Sequence, residues 1–170
     1  AHAASPPPAI VRADRTPPEN SDSLTSLPPA TRRDVRCMLF ADVVGFSRLR
    51  EEAAPSFFVE FLGAVAKVID ASSPRPDACN TWGDGLFIVF EDVVPAADFA
   101  LRLRDMVVGN DWSERGLPAD TNIRIALHAG PVFRAHDPII HRPNYFGAHV
   151  NRAARIEPVT APGLSLIHID

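Results

Sequence analysis

Cysteine is scarce. The 170 residues hold two, Cys37 and Cys79, in strand-like apolar segments and without CxxC spacing. This excludes a disulfide framework and suits a reduced intracellular protein. No apolar run approaches the ~20 residues needed to cross a bilayer, and the N-terminus lacks a signal-peptide core. The expected location is therefore cytoplasmic, with no membrane span. Lysine is nearly missing too: Lys67 is the single lysine among 17 basic residues. The net charge of −4 lacks the basic excess of a nucleic-acid-binding face, so no nucleic-acid partner is expected. What remains, 46% hydrophobic and 22% charged, is ordinary for a globular chain long enough to bury one core.

Proline is unevenly spread. Residues 1 to about 34 carry seven of the 17 prolines and show no hydrophobic period. They read as a Pro-rich disordered linker (1–34) before a folded domain (35–170). The chain starts at Ala1 and ends abruptly at Asp170, so it is read as a fragment with the C-terminal part of its domain truncated. That leaves room for a fused sensor or repeat domain outside it.

From Cys37 to Ala41 the chain is continuously apolar, as in a strand buried on both faces. Gly45 and Ser47 then mark a turn into a helix. "SFFVEFLGAVAKVID" places Phe58, Phe61, Leu62, Val65, Val68 and Ile69 at helical spacing. After the break at "SSPRPD" comes a hairpin, with strands around Asn80 and from Leu86 to Phe90. A second helical period runs through "VVPAADFALRLRDMVV", and "NIRIALHAG" alternates as a half-buried strand. A polar loop from Arg134 to Asn144 leads to a short helix in "FGAHVNRAARIEPV", ended before Pro158. The order β-α-β-β-α-β with a further helix predicts an α+β, ferredoxin-like sandwich, an antiparallel sheet with helices packed on one face. The tail "LSLIHID" alternates as another strand would; it also resembles translated sequencing-library adaptor sequence and carries little weight.

Two carboxylates stand where strands end. Asp42 closes the first buried strand, and Asp84 sits between Gly83 and Gly85 at the tip of the hairpin. Side by side in the sandwich, they would suit Mg²⁺ or Mn²⁺, which prefer oxygen ligands. The turn through Gly45, Phe46 and Ser47 offers backbone N–H groups to a phosphate. Asn151 and Arg155, four residues apart, share one helical face, and an amide beside a guanidinium suits a phosphate whose charge grows during reaction. Each has an ordinary reading as well: Asp42 as a helix cap, Asp84 as a turn residue, Phe46 as core, the Asn/Arg pair as a solvated face.

Taken together, "LFADVVGFSRL", "NTWGDGLFIVF", "IRIALHAGPV" and "NYFGAHVNRAARIEPVTAPG" resemble the class III nucleotidyl cyclases, in the family's order and spacing, from about Val35 to Gly163. The resemblance implies a lyase that converts a nucleoside triphosphate to a 3′,5′-cyclic nucleotide and pyrophosphate in signal transduction. Asp42, Asp84 and the backbone carbonyl of Val43 would hold two divalent cations. Asn151 and Arg155 would stabilise the transition state from across a homodimer interface, so that active sites are shared between two copies.

Two positions depart from the family. Adenine is usually read by a lysine four residues before the metal-binding aspartate and by an Asp or Thr three before the last motif's glycine. Here they are Asn80 and Asn144. An amide both donates and accepts, so the pair fits either purine; family membership favours ATP over GTP. The alternative is a catalytically weak or inactive nucleotide-binding and dimerisation module. A polymerase-type sandwich enzyme is disfavoured by the Asn/Arg helix and the missing GGDEF-like turn. His128, His136, His141 and His149 show no metal-ligand spacing, Trp82 needs no role beyond a strand, and Lys67 reads as a solvated helix position.

Overall fold

The apolar run at Cys37–Ala41 becomes the middle of β1 (Arg33–Val43) in a computed structural model that describes residues 33–169. The 1–34 linker expectation lies outside the described residues except for Arg33 and Asp34, which begin this strand. A 3₁₀ turn (Phe46–Arg48) follows. A continuous helical run comes next, built of α1 (Ala54–Ser56), a π-helical turn (Phe57–Phe61) and α2 (Leu62–Asp70). The expected hairpin is β2 (Ala78–Trp82) and β3 (Gly85–Phe90), and the second helical period is α3 (Val93–Gly109). β4 (Ile123–Asp137), β5 (Arg142–Phe146), α4 (Ala148–Ile156) and β6 (Ser165–Ile169) complete the described chain.

The sheet runs β2-β3-β1-β4-β5, with β6 also on β4. Every pairing is antiparallel except β4 with β6. This is the predicted α+β architecture. Side chains alternate across β1: Cys37, Leu39 and Ala41 join Leu86, Ile88, Phe90, Ile125 and Leu127 under the helices. Phe57, Phe61 and Val65 pack on that face from one helical run, and Phe99 and Leu103 from α3. Phe61 lies 5.1 Å from both Phe57 and Trp112, ring centre to ring centre, and is fully buried. Burying a ring of that kind stabilises by roughly 1.5–3 kcal/mol.

The opposite face has a smaller apolar layer, Met38, Phe40, Phe87, Val89, Val132 and Tyr145, covered in part by Ala153 and Val150 of α4. With α1–α3 on one face, this second face holds α4 and, beside the apolar layer, polar groups of β2 and β5. Among the described residues no helix is long and apolar enough to cross a membrane.

Three local expectations need correction. The polar loop at Arg134–Asn144 is instead the end of β4, a tight connection and most of β5, paired Phe133 to Phe146 through Asp137 to Arg142. The strand at 122–130 is not half-buried; Ile125 to Gly130 are all buried, because helices cover one side and α4 the other. After Gly45 the chain makes two short 3₁₀ turns, Phe46–Arg48 and Glu51–Ala53, and helix proper starts at Ala54. Gly45 is left-handed (φ 78°), which a glycine accepts without strain, and Phe46 is drawn inward onto Phe57 at 4.7 Å.

Candidate active site

β1 and β3 bring the two carboxylates together. Their register pairs Ala41 with Leu86, so the next residues of each strand, Asp42 and the turn at Asp84, meet at one end of the sheet. Gly83 turns the hairpin at φ 66°, and Gly85 must be small because a Cβ there would lie 2.6 Å from Trp82 Nε1. Both acids are half-buried. Burial, then a hydrogen bond and like charge from Asp42, push Asp84 up to about 6, although its own N–H and that of Val43 favour the carboxylate.

Arg124 completes this cluster. The β1–β4 register sets it opposite Asp42, and its Nη2 donates to Asp42 Oδ2 at 2.7 Å. Its Nε lies 3.1 Å from Glu157 Oε1, just past α4, as an ion pair without hydrogen-bond alignment. Burial, with the charges of Asp42 and Asp84, raises the Glu157 carboxyl, against the pull of Arg124. One guanidinium thus serves several acids, an arrangement suited to taking up a cation or a phosphate.

The same sheet face carries a cleft of about 380 Å³. Phe40, Phe87, Trp82 and Val150 give it apolar walls, while Asn80, Asp137, Arg142 and Asn144 supply polar groups. Asn80 is on β2 and Asn144 on β5, the two ends of the strand order, yet Asn80 Nδ2 lies 3.5 Å from Asn144 Oδ1. The sheet curls enough for its edges to meet, and Tyr145 Oη donates to Asp77 across the same gap at 3.1 Å. Trp82, read only as a strand residue, is 56% exposed at the mouth of this cleft.

Asn151 and Arg155 share the exposed side of α4, as their spacing predicts. Among the described residues no hydrogen bond or ion pair joins them to Asp42 or Asp84. α4 is fastened to β4 by histidines that the sequence gave no reason to pair. Fully buried His128 places Nε2 2.9 Å from His149 Nδ1, with the rings stacked. Gly130 makes room for that contact; a Cβ there would fall 2.2 Å from His149 Nδ1. Because His128 holds the ring in place, Gly130→Ala is expected to destabilise the fold by about 1–3 kcal/mol. Thermal denaturation checks it, and His149→Ala in the same chain should recover most of the loss.

Cys37 and Cys79 are free thiols, and burial raises both, Cys37 to about 11. Neither is a nucleophile near neutral pH. Gly45 and Phe46 line a separate, smaller cavity of about 180 Å³, and Ser47 is exposed beside it. The short 3₁₀ turn there leaves little helix dipole to favour a phosphate.

Comparison with known proteins places the chain in one family. The family described as "Adenylate and Guanylate cyclase catalytic domain" matches residues 29–169. A pH-sensitive adenylate cyclase MT1302 of Mycobacterium tuberculosis (strain CDC 1551 / Oshkosh) is 30% identical over 130 residues, 75% of this chain and 29% of that protein. The receptor-type guanylate cyclase gcy-8 of Caenorhabditis elegans is 31% identical over 143 residues, 76% of this chain and 12% of that protein. The chain therefore spans less than a third of either relative. Among solved structures, the adenylyl cyclase CyaB from P. aeruginosa and the guanylyl cyclase Cya2 share its fold, each with a TM-score of 0.68 at 22% identity. Each alignment covers 80% of this chain, and 77% and 75% of the respective structures.

Proposed function

The chain belongs to the adenylate and guanylate cyclase catalytic-domain family, and from that premise we propose that it converts a nucleoside triphosphate, ATP ahead of GTP, to the 3′,5′-cyclic nucleotide and pyrophosphate. The observation that carries this is the Asp42–Asp84 pair, two carboxylates that the β1–β3 register brings to one sheet end beside Arg124. The 3′-oxygen attacks the α-phosphate, its proton leaves, and the bond to pyrophosphate breaks. The catalytic unit is the domain that opens with β1 at Arg33, working in the cytoplasm.

The acids fit divalent cations. Hard oxygen donors are what Mg²⁺ and Mn²⁺ take, and a half-buried acid driven toward its neutral form by a like charge gains from positive charge beside it. Asp42, Asp84 and the Val43 carbonyl would hold two such ions, which would lower the pKa of the attacking hydroxyl and offset the triphosphate charge. Arg124 then has an anion to meet once Asp42 is engaged, and Glu157 keeps it aimed at this end of the sheet. Arg155 would offset charge growing at the α-phosphate and Asn151 would orient the ribose. Both are exposed in one copy, and a second copy would bring its carboxylates to them, giving two sites per symmetric dimer. Exposed Trp82 (56%) and Phe146 (47%) on the strands beside them supply apolar area for that contact.

A cation effect on stability follows from Asp84. Its folded pKa, about 6, lies above the ordinary aspartate value of about 3.9, so the folded state binds the extra proton. Stability from this group is present at low pH and is lost as pH rises through about 6. A Mn²⁺ ion held by Asp84 and Asp42 would supply positive charge where the proton is lost. The Mn²⁺-induced rise in melting temperature should be small near pH 5 and clearly larger near pH 8, in a thermal-shift series.

The function itself is tested by offering the chain ATP or GTP with Mn²⁺ and measuring cyclic nucleotide and pyrophosphate in equal amounts. Nucleotide binding by a dimer without either product would favour the regulatory module instead.

A further inference from the structure

Two asparagines at the base-reading positions leave the purine open when only the sequence is considered. The structure removes that freedom at one of them. Asn144 Nδ2 donates to Asp137 Oδ2 at 3.0 Å, and Asn144 Oδ1 accepts from the Tyr145 N–H at 2.9 Å. A carboxylate can only accept and a backbone N–H can only donate, so the amide has one orientation and cannot turn over. Asp137 is itself fixed: its Oδ1 accepts from the N–H groups of Ile139 (2.9 Å) and Ile140 (3.2 Å) in the β4–β5 connection. One oxygen shapes the turn and the other clamps the amide.

We propose that Asp137 is a specificity-determining residue, which holds the Asn144 carbonyl toward the cleft as an obligate acceptor and so selects adenine over guanine. This rests on the nucleotide-cyclase reading of the same site. The edge of adenine offers an amino group at C6 and an acceptor at N1; guanine offers an oxygen at C6 and an N–H at N1. The Asn144 oxygen, whose second lone pair faces Asn80 Nδ2 across a long 3.5 Å contact, meets the adenine amino group as a partner. Asn80 Nδ2 then donates to N1. Guanine would set O6 against the Asn144 oxygen, acceptor against acceptor. Asn80 could rotate to suit guanine, but Asn144 cannot.

The test is the ratio of kcat/KM for ATP to that for GTP, measured with Mn²⁺ on the chain, on Asp137→Ala and on Asp137→Asn. The parent is expected to favour ATP on the order of ten- to a hundredfold, the discrimination typical of a matched base edge. Asp137→Ala frees the amide, and the ratio should fall toward unity. Asp137→Asn can leave its one oxygen on the Ile139 and Ile140 N–H groups but then turns an NH₂ on the Asn144 amide, so it should keep the turn and lose the preference as Asp137→Ala does. A purely structural role would slow both nucleotides alike and leave the ratio unchanged, which would overturn the proposal, as would a parent that favours GTP. The same three proteins are assayed by competition of ATP and GTP against a fluorescent nucleotide analogue. Selective ATP binding lost in Asp137→Ala, without turnover, would uphold the clamp while sinking the cyclase reading. Turnover with an unaltered ratio would do the reverse, and neither binding nor turnover would sink both.

Discussion

Asp84→Ala is expected to lower cyclic-nucleotide production by about 10³-fold or more, the scale at which removing a charge-stabilising group from a phosphoryl-transfer site acts. The loss should not come from unfolding. The Asp84 carboxyl is held in an unfavourable setting, half-buried and against Asp42, so its removal relieves repulsion. In the absence of divalent cation, and above about pH 6, the variant should melt no lower than the parent. Added Mn²⁺ should then raise its melting temperature far less than it raises the parent's. An inactive variant that also melts much lower would instead assign Asp84 to the hairpin turn alone.

Arg155→Ala is the second large effect, expected at about 10²–10³-fold in kcat with KM altered little. Arg155 is exposed on α4, so truncation should leave the melting temperature within the narrow range usual for surface substitutions. The split between kcat and KM is informative. A guanidinium that met only ground-state triphosphate would raise KM, whereas one that meets charge developing at the α-phosphate lowers kcat. Arg124 makes the contrast. It is tied to Asp42 and Glu157, so its loss would disturb both the acids and the fold.

How much of this was legible in the sequence depended on how local the signal was. β1, β3 and the helices carry their own apolar pattern, and the i,i+4 spacing of Asn151 and Arg155 needs only a helix to put them on one face. β5 was missed because it is an outer strand with a mostly exposed pattern around Arg142 and Asn144, so no apolar run announces it. The Gly45 turn was read as a helix start because its glycine and serine are ordinary start residues, but the chain reaches helix only at Ala54. Arg124 was overlooked for another reason: its role exists only through a register that pairs it with Asp42, 82 residues away. The Asp137 clamp needs a β4–β5 hairpin that the sequence hid as a loop. The His128–His149 contact likewise depends on where α4 lands on the sheet, which periodicity alone does not fix.

Asp84→Ala and Arg155→Ala should each be nearly inactive alone, and in the proposed dimer they would damage opposite halves of a shared site. Mixing the two proteins under conditions that exchange subunits is the most direct measurement of the central claim. About half of the reassorted dimers contain one chain of each kind, and each such dimer has one undamaged site, so activity should return to roughly a quarter of the parent level. No recovery, with subunit exchange demonstrated, would contradict a cyclase site assembled from the carboxylates of one copy and the α4 residues of the other.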